Sequence, residues 1–287
     1  MSLKVAYQGV SGAYSEEALY THFARDFGRE NIQAQGFHFS EQVFEAVEQG
    51  EAKFGFVPVE NSIMGNVDIN TDLLYKHELP IFSEYFHPIQ HGLLARPGVK
   101  IKDVNLVRSH PVALEQCRDF LSRHRLQSIP DYDTAGSAKR LSQKDSQEEA
   151  VIASKLCQEI YGLDILESHI QSVQTNITRF LAFSQKDNLP TDIAQEKTSL
   201  AFATKHHPGA LLNCLQKFAN NSINLTKLES RPIPENPFRY IFFVDFVGGQ
   251  NETNVQNCLE EMKADADSVK ILGSYPKGDP SPHISQK

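Results

Sequence analysis

The sequence predicts an α/β protein made of two architectures in series, and three observations carry that reading. Short apolar runs alternate with amphipathic, capped stretches through residues 1–184; a polar segment containing Pro190, at 185–197, reads as a linker; beyond it the order is strand, helix, strand, strand, helix, strand. Alternation implies sheets covered by helices, and βαββαβ implies a ferredoxin-like second domain of roughly 80 residues over 198–276.

Residues 3–7 read as a strand, and Gln8-Gly9-Val10-Ser11-Gly12 as a turn. Ser15 is a good N-cap for the helix that follows, with Glu16 and Glu17 in its first turn, Leu19, Phe23 and Phe27 on one face, and Gly28 as its stop. Ser40 opens an amphipathic stretch through Phe44 and Val47 to Gly50, and Phe54 to Val59 is apolar enough for a strand buried on both faces. Val104 to Arg108 is a strand; Pro111 suits the first position of a single helix that turns Ala113, Cys117, Phe120 and Leu121 inward. Asp133-Thr134 caps a short helix, and 150–153 and 177–183 are strands. In the second domain, strands fall at 199–203, 223–229, 240–247 and 269–274, with helices at 209–219 and 252–263. Tyr240, Phe242, Val244 and Phe246 give its third strand an apolar face for the two helices to cover. Residues 277–287, with Gly278, Pro280 and Pro282, read as a disordered tail.

Composition narrows the partners. With 28 Lys+Arg against 36 Asp+Glu the net charge is −8, which argues against a grip on phosphate backbones and so against nucleic acid. Apolar runs stay well short of the ~20 residues of a bilayer span, and the N-terminus reads directly as a strand, so a cytoplasmic protein with no membrane partner is expected. Cys117, Cys157, Cys214 and Cys258 lie far apart, as reduced thiols would. His206-His207 are neighbours that point to different faces, and no metal site is expected.

Ligands of open α/β sheets bind beyond the carboxyl ends of strands, near helix N-termini. That selects the loops 8–15, Glu60-Asn61-Ser62, Ser109-His110, Asp133-Thr134 and Asn176-Ile177-Thr178-Arg179-Phe180. Gly9 and Gly12 lack the spacing of a dinucleotide or phosphate loop and read as a tight turn. Singly, each remaining segment also fits an ordinary turn, cap or strand.

Taken in order, these segments together resemble one family, the prephenate dehydratases and their relatives the arogenate dehydratases. The matching pieces are Gly9-Val10-Ser11-Gly12-Ala13-Tyr14-Ser15-Glu16, Val57 to Ser62 with Gly65, Ser109-His110-Pro111 through Gln116-Cys117, Asp133-Thr134-Ala135 and Asn176 to Phe180. Gly209-Ala210-Leu211 and Glu229-Ser230-Arg231-Pro232 are similar to the two phenylalanine-binding motifs of that family's ACT domain. Val112 departs from the pattern, which often has Gln there.

The resemblance implies a catalytic domain of two lobes similar to periplasmic binding proteins, at about 1–78 plus 160–184 and 79–159, with the site between them. It implies decarboxylative dehydration of prephenate without a cofactor, Thr178 acting on the departing hydroxyl and Asn61, Ser109 and Gln116 orienting the substrate. Ser11, Ser62, His110, Thr134, Arg179 and Phe180 are the further substrate-binding candidates. Neighbours on a strand face opposite ways, so Arg179 is either an anion ligand on a bent strand or a structural tether. Gly209, Ala210, Leu211, Asn221, Glu229 and Ser230 are expected to bind the inhibitor L-phenylalanine at a contact in a homodimer or homotetramer. A non-catalytic solute-binding protein and an amino-acid-sensing regulator are the alternatives, and arogenate is the alternative substrate.

Overall fold

Three sheets organise residues 2–233 and 236–281, which the computed structural model describes. The chain opens with β1 (Leu3–Gln8), α1 (Tyr14–Phe27), β2 (Ile32–Phe37), α2 (Ser40–Glu48), β3 (Phe54–Asn61), β4 (Gly65–Asn66), α3 (Asp68–Lys76) and β5 (Ile81–Pro88). It crosses at 89–91 into β6 (Gly92–Ala95), β7 (Leu106–Ser109), α4 (Pro111–Gln116), α5 (Arg118–Arg123), β8 (Gln127–Pro130), α6 (Thr134–Ser142), β9 (Glu149–Ala153), α7 (Leu156–Tyr161) and β10 (Asp164–Glu167). It returns through 168–176 to β11 (Ile177–Ser184). The remainder is β12 (Lys197–Thr204), α8 (Ala210–Asn220), β13 (Leu225–Ile233), β14 (Asn236–Val247), α9 (Thr253–Met262) and β15 (Ala266–Tyr275).

The first sheet runs β2-β1-β3-β11-β5 with β4 beside β3, the second β10-β6-β9-β7-β8. Each forms one lobe, and the lobe boundaries differ from the expected 78 and 160. β5 flanks β11 in the first sheet, while β10 pairs with β6 in the second. The returning strand β11 is antiparallel to both neighbours and recruits β5, so strand pairing draws the boundary at the two crossings. Those crossings are bonded to one another, Ile89 N–H to the Asn176 carbonyl at 2.8 Å and Ile170 N–H to the His91 carbonyl at 3.1 Å.

Local chemistry explains the helix starts that bear on the cleft. α1 begins at Tyr14 with Ala13 as its N-cap, ahead of the expected Ser15, and Glu16 in its first turn accepts the N–H of Gly12, just before the cap, at 2.5 Å. Gly12 sits at φ +88, and its carbonyl accepts the Ser154 hydroxyl at 2.6 Å from the other lobe; a Cβ there would press on Cys157 Sγ. The single helix expected after Pro111 is two, broken at Cys117 where φ is −108 and ψ 14.

The third sheet, β13-β14-β12-β15, is antiparallel throughout and has the ferredoxin-like connectivity that the sequence order implies. Val244 and Phe246 pack under α8 and α9 with Cys214, Phe218, Val255 and Met262; Phe242 is half-buried and Tyr240 exposed. The opposite face is buried too. Ala201, Ile241, Phe243, Leu272 and Tyr275 share one core with Leu73, Leu74 and Ile81 of the first lobe. Where β15 passes β5, a Cβ on Gly273 would overlap the Ile81 backbone. Gly273→Ala is therefore expected to wedge the second domain off the first and cost about 1–3 kcal/mol; an unchanged thermal midpoint would contradict this close approach.

Two connecting segments are more ordered than expected. Within 185–197, Leu189 and Ile193 pack on the aromatic core of the first lobe, and Lys197 is already buried in β12, so the stretch is a packed crossover rather than a loose linker. Residues 277–281 fold back as well: Lys277 N–H meets Glu196 and Gly278 N–H meets Glu84, both at 2.9 Å. The rest of the expected tail, 282–287, lies outside the described residues.

Candidate active site

The lobes enclose a cleft of about 330 Å³ bordered by Tyr14, Asn61, His91, His110, Gln116, Asp133, Thr134, Asn176, Thr178 and Phe180. Register brings its centre together. β11 sets Thr178 directly opposite Asn61 on β3, and a bulge between Arg179 and Phe180 falls where Pro58 cannot donate to the ladder. Thr178 and Phe180 therefore face the cleft, and Phe180 stacks on Phe56 with ring centroids 4.9 Å apart.

One chain of hydrogen bonds crosses the site, and the backbone fixes its direction. The N–H groups of Ile63 and Met64 donate to Asn61 Oδ1 at 3.0 and 2.9 Å, so Asn61 Nδ2 must be the donor on the other side. It gives one proton to Asn176 Oδ1 at 2.8 Å and one to Thr178 Oγ1 at 2.9 Å. Asn176 Nδ2 in turn donates to Gln116 Oε1 at 3.1 Å. That oxygen also lies 2.7 Å from His91 Nε2, which must carry a proton to approach it, and Tyr14 Oη lies 2.6 Å from His91 Nδ1. Two groups emerge uncommitted. Thr178 accepts from Asn61 and keeps its own O–H to give, while Gln116 is left with its NH2 for a ligand.

The electrostatics are neutral at the centre. His91 is 2% exposed, and burial lowers its pKa, partly opposed by its bond to Gln116. Burial raises Tyr14 well above the ordinary phenol value and pushes the Cys117 thiol up to about 12, so neither supplies an anion near neutral pH. Among the described cleft residues there is no lysine or arginine and one carboxylate, Asp133, which caps α6 by accepting the Gly136 N–H at 2.5 Å. The N-termini of α1 and α6 open onto the same space, bringing backbone N–H groups and the positive ends of two helix dipoles.

Comparison with protein-family models matches residues 5–188 to prephenate dehydratase. This chain belongs to the prephenate dehydratase family. It is 38% identical over 283 residues to arogenate dehydratase/prephenate dehydratase 2, chloroplastic, of Arabidopsis thaliana, covering 96% of this chain and 73% of that one. Against arogenate dehydratase 2 of Petunia hybrida it is 38% identical over 288 residues, covering 96% and 72%. Among solved structures, the prephenate dehydratase of Arthrobacter aurescens in complex with L-Phe superposes with a TM-score of 0.86 at 30% identity, covering 98% of this chain and 92% of that one. A chain described as GqqA, a novel type of quorum quenching acylase, also gives 0.86 at 30% identity, with 97% and 98% covered.

For an enzyme of the prephenate/arogenate dehydratase family, the sequence-derived site list divides. Thr178, Asn61, Gln116, His110, Thr134 and Phe180 border the cleft. Ser109 does not: it is fully buried at the end of β7, where strand alternation turns its hydroxyl into the sheet to donate to the Ile152 carbonyl at 2.6 Å. Ser11 spends its hydroxyl on Glu16 at 3.3 Å, and Ser62 bridges the Thr175 carbonyl and the Ile177 N–H, both at 2.9 Å, pinning the approach to β11. None of these three serines borders the cleft.

Arg179 points the opposite way from Thr178, into the junction with the second domain. It bonds Glu84 at 2.8 Å, Asp245 on β14, and the Tyr275 hydroxyl at 3.0 Å, while Lys197 reaches Glu84 at 2.8 Å. Its geometry is that of the tether, and it does not border the cleft. Of the residues in this network, Tyr14 and Asn176 fall within segments the sequence selected, without a role assigned to them, and His91 falls outside all of them; its partners Tyr14 and Gln116 are 77 and 25 residues away, so no local pattern marks it.

In the second domain, Gly209 at φ +83 caps the start of α8 and Asn221 ends it, so an 11-residue helix, roughly 16 Å, separates them. Ser230 is exposed on β13, and Glu229, on the opposite face, pairs with Lys227 at 3.2 Å beside the first lobe.

Proposed function

We propose that this chain converts prephenate to phenylpyruvate and is inhibited by L-phenylalanine through its second domain, read as an ACT domain. The observation that carries the first part is the fixed direction of the cleft network, which leaves the Thr178 O–H as the donor. In prephenate the C–CO2 bond breaks, its electron pair aromatises the ring, and the ring hydroxyl leaves, becoming water on taking up a proton. Thr178 is positioned to donate to that leaving oxygen as negative charge gathers on it. Gln116 Nε2 and the helix N-termini would hold the carboxylates, which lets a dianion bind without a guanidinium. The chemistry draws on no cofactor. Acyl transfer would need an activated nucleophile, whereas both His91 nitrogens are already committed and Thr178 is bonded to an amide, an arrangement that supports dehydration.

Arogenate is the second reading, favoured by the names of the plant relatives and by the single cleft carboxylate, Asp133, which suits an ammonium. Asp133→Asn keeps an N-cap and removes the charge. If arogenate is the substrate, this variant is expected to lose roughly ten- to a hundredfold in kcat/KM for it while prephenate turnover holds. Wild-type preference for prephenate, unchanged by the substitution, is the outcome expected from the primary reading; wild-type preference for arogenate would overturn it.

For regulation, the separated ends of α8 support a ligand seated between two copies, as in a homodimer or homotetramer, with the β13 edge and its exposed Leu228 open for contact. Ser230→Ala in the full chain is expected to raise the phenylalanine concentration for half-inhibition several-fold with basal turnover unchanged; an unaltered inhibition curve would count against the motif. Among the described residues no helix is long and apolar enough to cross a membrane. The four cysteines are free and buried, which supports a reducing compartment such as the cytosol.

A further inference from the structure

We infer that Tyr14 and His91 are positioning residues that set the orientation of the Gln116 amide, His91 by donating from Nε2 to its oxygen and Tyr14 by donating to His91 Nδ1 and so holding the ring in place. This deepens the dehydratase reading and rests on it for the kinetic part of its test. His91 occupies the first crossing between the lobes, where its backbone N–H donates to Gln171 Oε1 at 3.0 Å and its carbonyl accepts from Ile170. Its ring is thereby placed between Tyr14 of the first lobe and Gln116 of the second, with the Tyr14 ring edge-on at 5.3 Å.

An imidazole with one proton can donate from only one nitrogen, and the other must accept. If the proton sat on Nδ1, it would meet the Tyr14 hydroxyl, and Nε2 would present a lone pair to Gln116. The amide would then turn its NH2 toward His91 and its oxygen into the cleft, where it would repel a substrate carboxylate. The Tyr14 hydroxyl accommodates either tautomer, since it can accept from Nδ1–H or donate to a bare Nδ1. The choice is made at the other end of the chain: Asn176 requires the Gln116 oxygen as its acceptor, so His91 must bring a proton on Nε2, and Tyr14 O–H then donates to the bare Nδ1. The amide is thus held from both crossings, and its NH2 faces the ligand only when both holds are made. Burial keeps His91 neutral, as a lone pair on Nδ1 requires.

The test has a spectroscopic and a kinetic arm. Long-range proton–nitrogen correlation on the 15N-histidine-labelled full chain at neutral pH is expected to show His91 in one neutral form, protonated on Nε2, in wild type, and in Tyr14→Phe an Nδ1 resonance shifted by loss of its hydrogen-bond donor. This arm needs no turnover, so it stands apart from the substrate assignment. An Nδ1-protonated His91 in wild type, or a Tyr14→Phe spectrum identical to wild type, would overturn the inference. In the kinetic arm, His91→Asn is expected to cost roughly ten- to a hundredfold in kcat/KM, and to cost almost nothing further when Gln116 is already alanine. Losses that multiply in the double variant would show that His91 acts independently of Gln116 and would also overturn it. Should His91→Asn not fold, Tyr14→Phe, which removes only one oxygen, takes its place in the cycle with the same criterion.

Discussion

Thr178→Ala is expected to lower kcat by ~10²–10³ with a much smaller change in substrate affinity, the usual loss on removing one preorganised donor from a developing negative charge. Thr178 is 8% exposed and lies within a bonded network, so the variant should stay folded: Asn61 retains Asn176 and the Ile177 carbonyl, at 2.8 and 3.3 Å, as acceptors. Thr178→Ser keeps the O–H and the Asn61 bond and is expected to recover most of the rate. Steady-state kinetics on both variants separates the claims. A near-normal kcat for folded Thr178→Ala would remove Thr178 from the chemistry and make His110, which also borders the cleft, the next candidate.

Arg179→Met is expected to act on stability rather than substrate binding, although it alters the neighbouring residue. The guanidinium is 4% exposed; burial alone would lower its pKa, but Asp245, Tyr275 and Glu84 more than offset that and keep it charged. Its removal leaves Glu84 and Asp245 buried with Lys197 as their remaining cation, and breaking such a cluster from one side costs about 3–5 kcal/mol. For a chain of this size that is roughly a 10 °C fall in Tm. Arg179→Lys should recover only part, since an ammonium cannot span Glu84, Asp245 and Tyr275 together. The acid side follows from Asp245: burial works to raise its pKa, but Arg179 and Lys197 bring it below the usual carboxylate value. Its contribution is therefore complete above the unfolded value of about 4 and is lost as pH falls through the depressed folded one. A large rise in KM with unchanged Tm would instead restore Arg179 as a substrate ligand.

The contrast between those two neighbours shows how much was legible in the sequence. Strand alternation alone says that Thr178 and Arg179 face apart, and the resemblance says which of them meets the substrate. What the sequence does not carry is the identity of Arg179's partners, because Glu84 and Asp245 lie 95 and 66 residues away. β5 went unread for the same reason: Glu84 interrupts its apolar pattern, and only Arg179 and Lys197, supplied from elsewhere, make that carboxylate tolerable in a core. β2 and β10 escaped because each is a short edge strand whose few apolar residues are broken up by polar ones, Gln33 and Gln35 in β2, or confined to two positions between Asp164 and Glu167 in β10. Ser109 shows where a motif leaves the side-chain direction open. Its motif suggested a substrate contact, but at the end of β7 its hydroxyl satisfies a backbone carbonyl, and the cleft contact passes to His110 one residue later.

The most direct measurement follows carbon-labelled prephenate and, separately, labelled arogenate by NMR in the presence of the purified full chain. The expected result is equimolar phenylpyruvate and carbon dioxide from prephenate, abolished to the stated degree by Thr178→Ala. A folded protein that leaves both substrates unchanged would contradict the assignment of the cleft to dehydration.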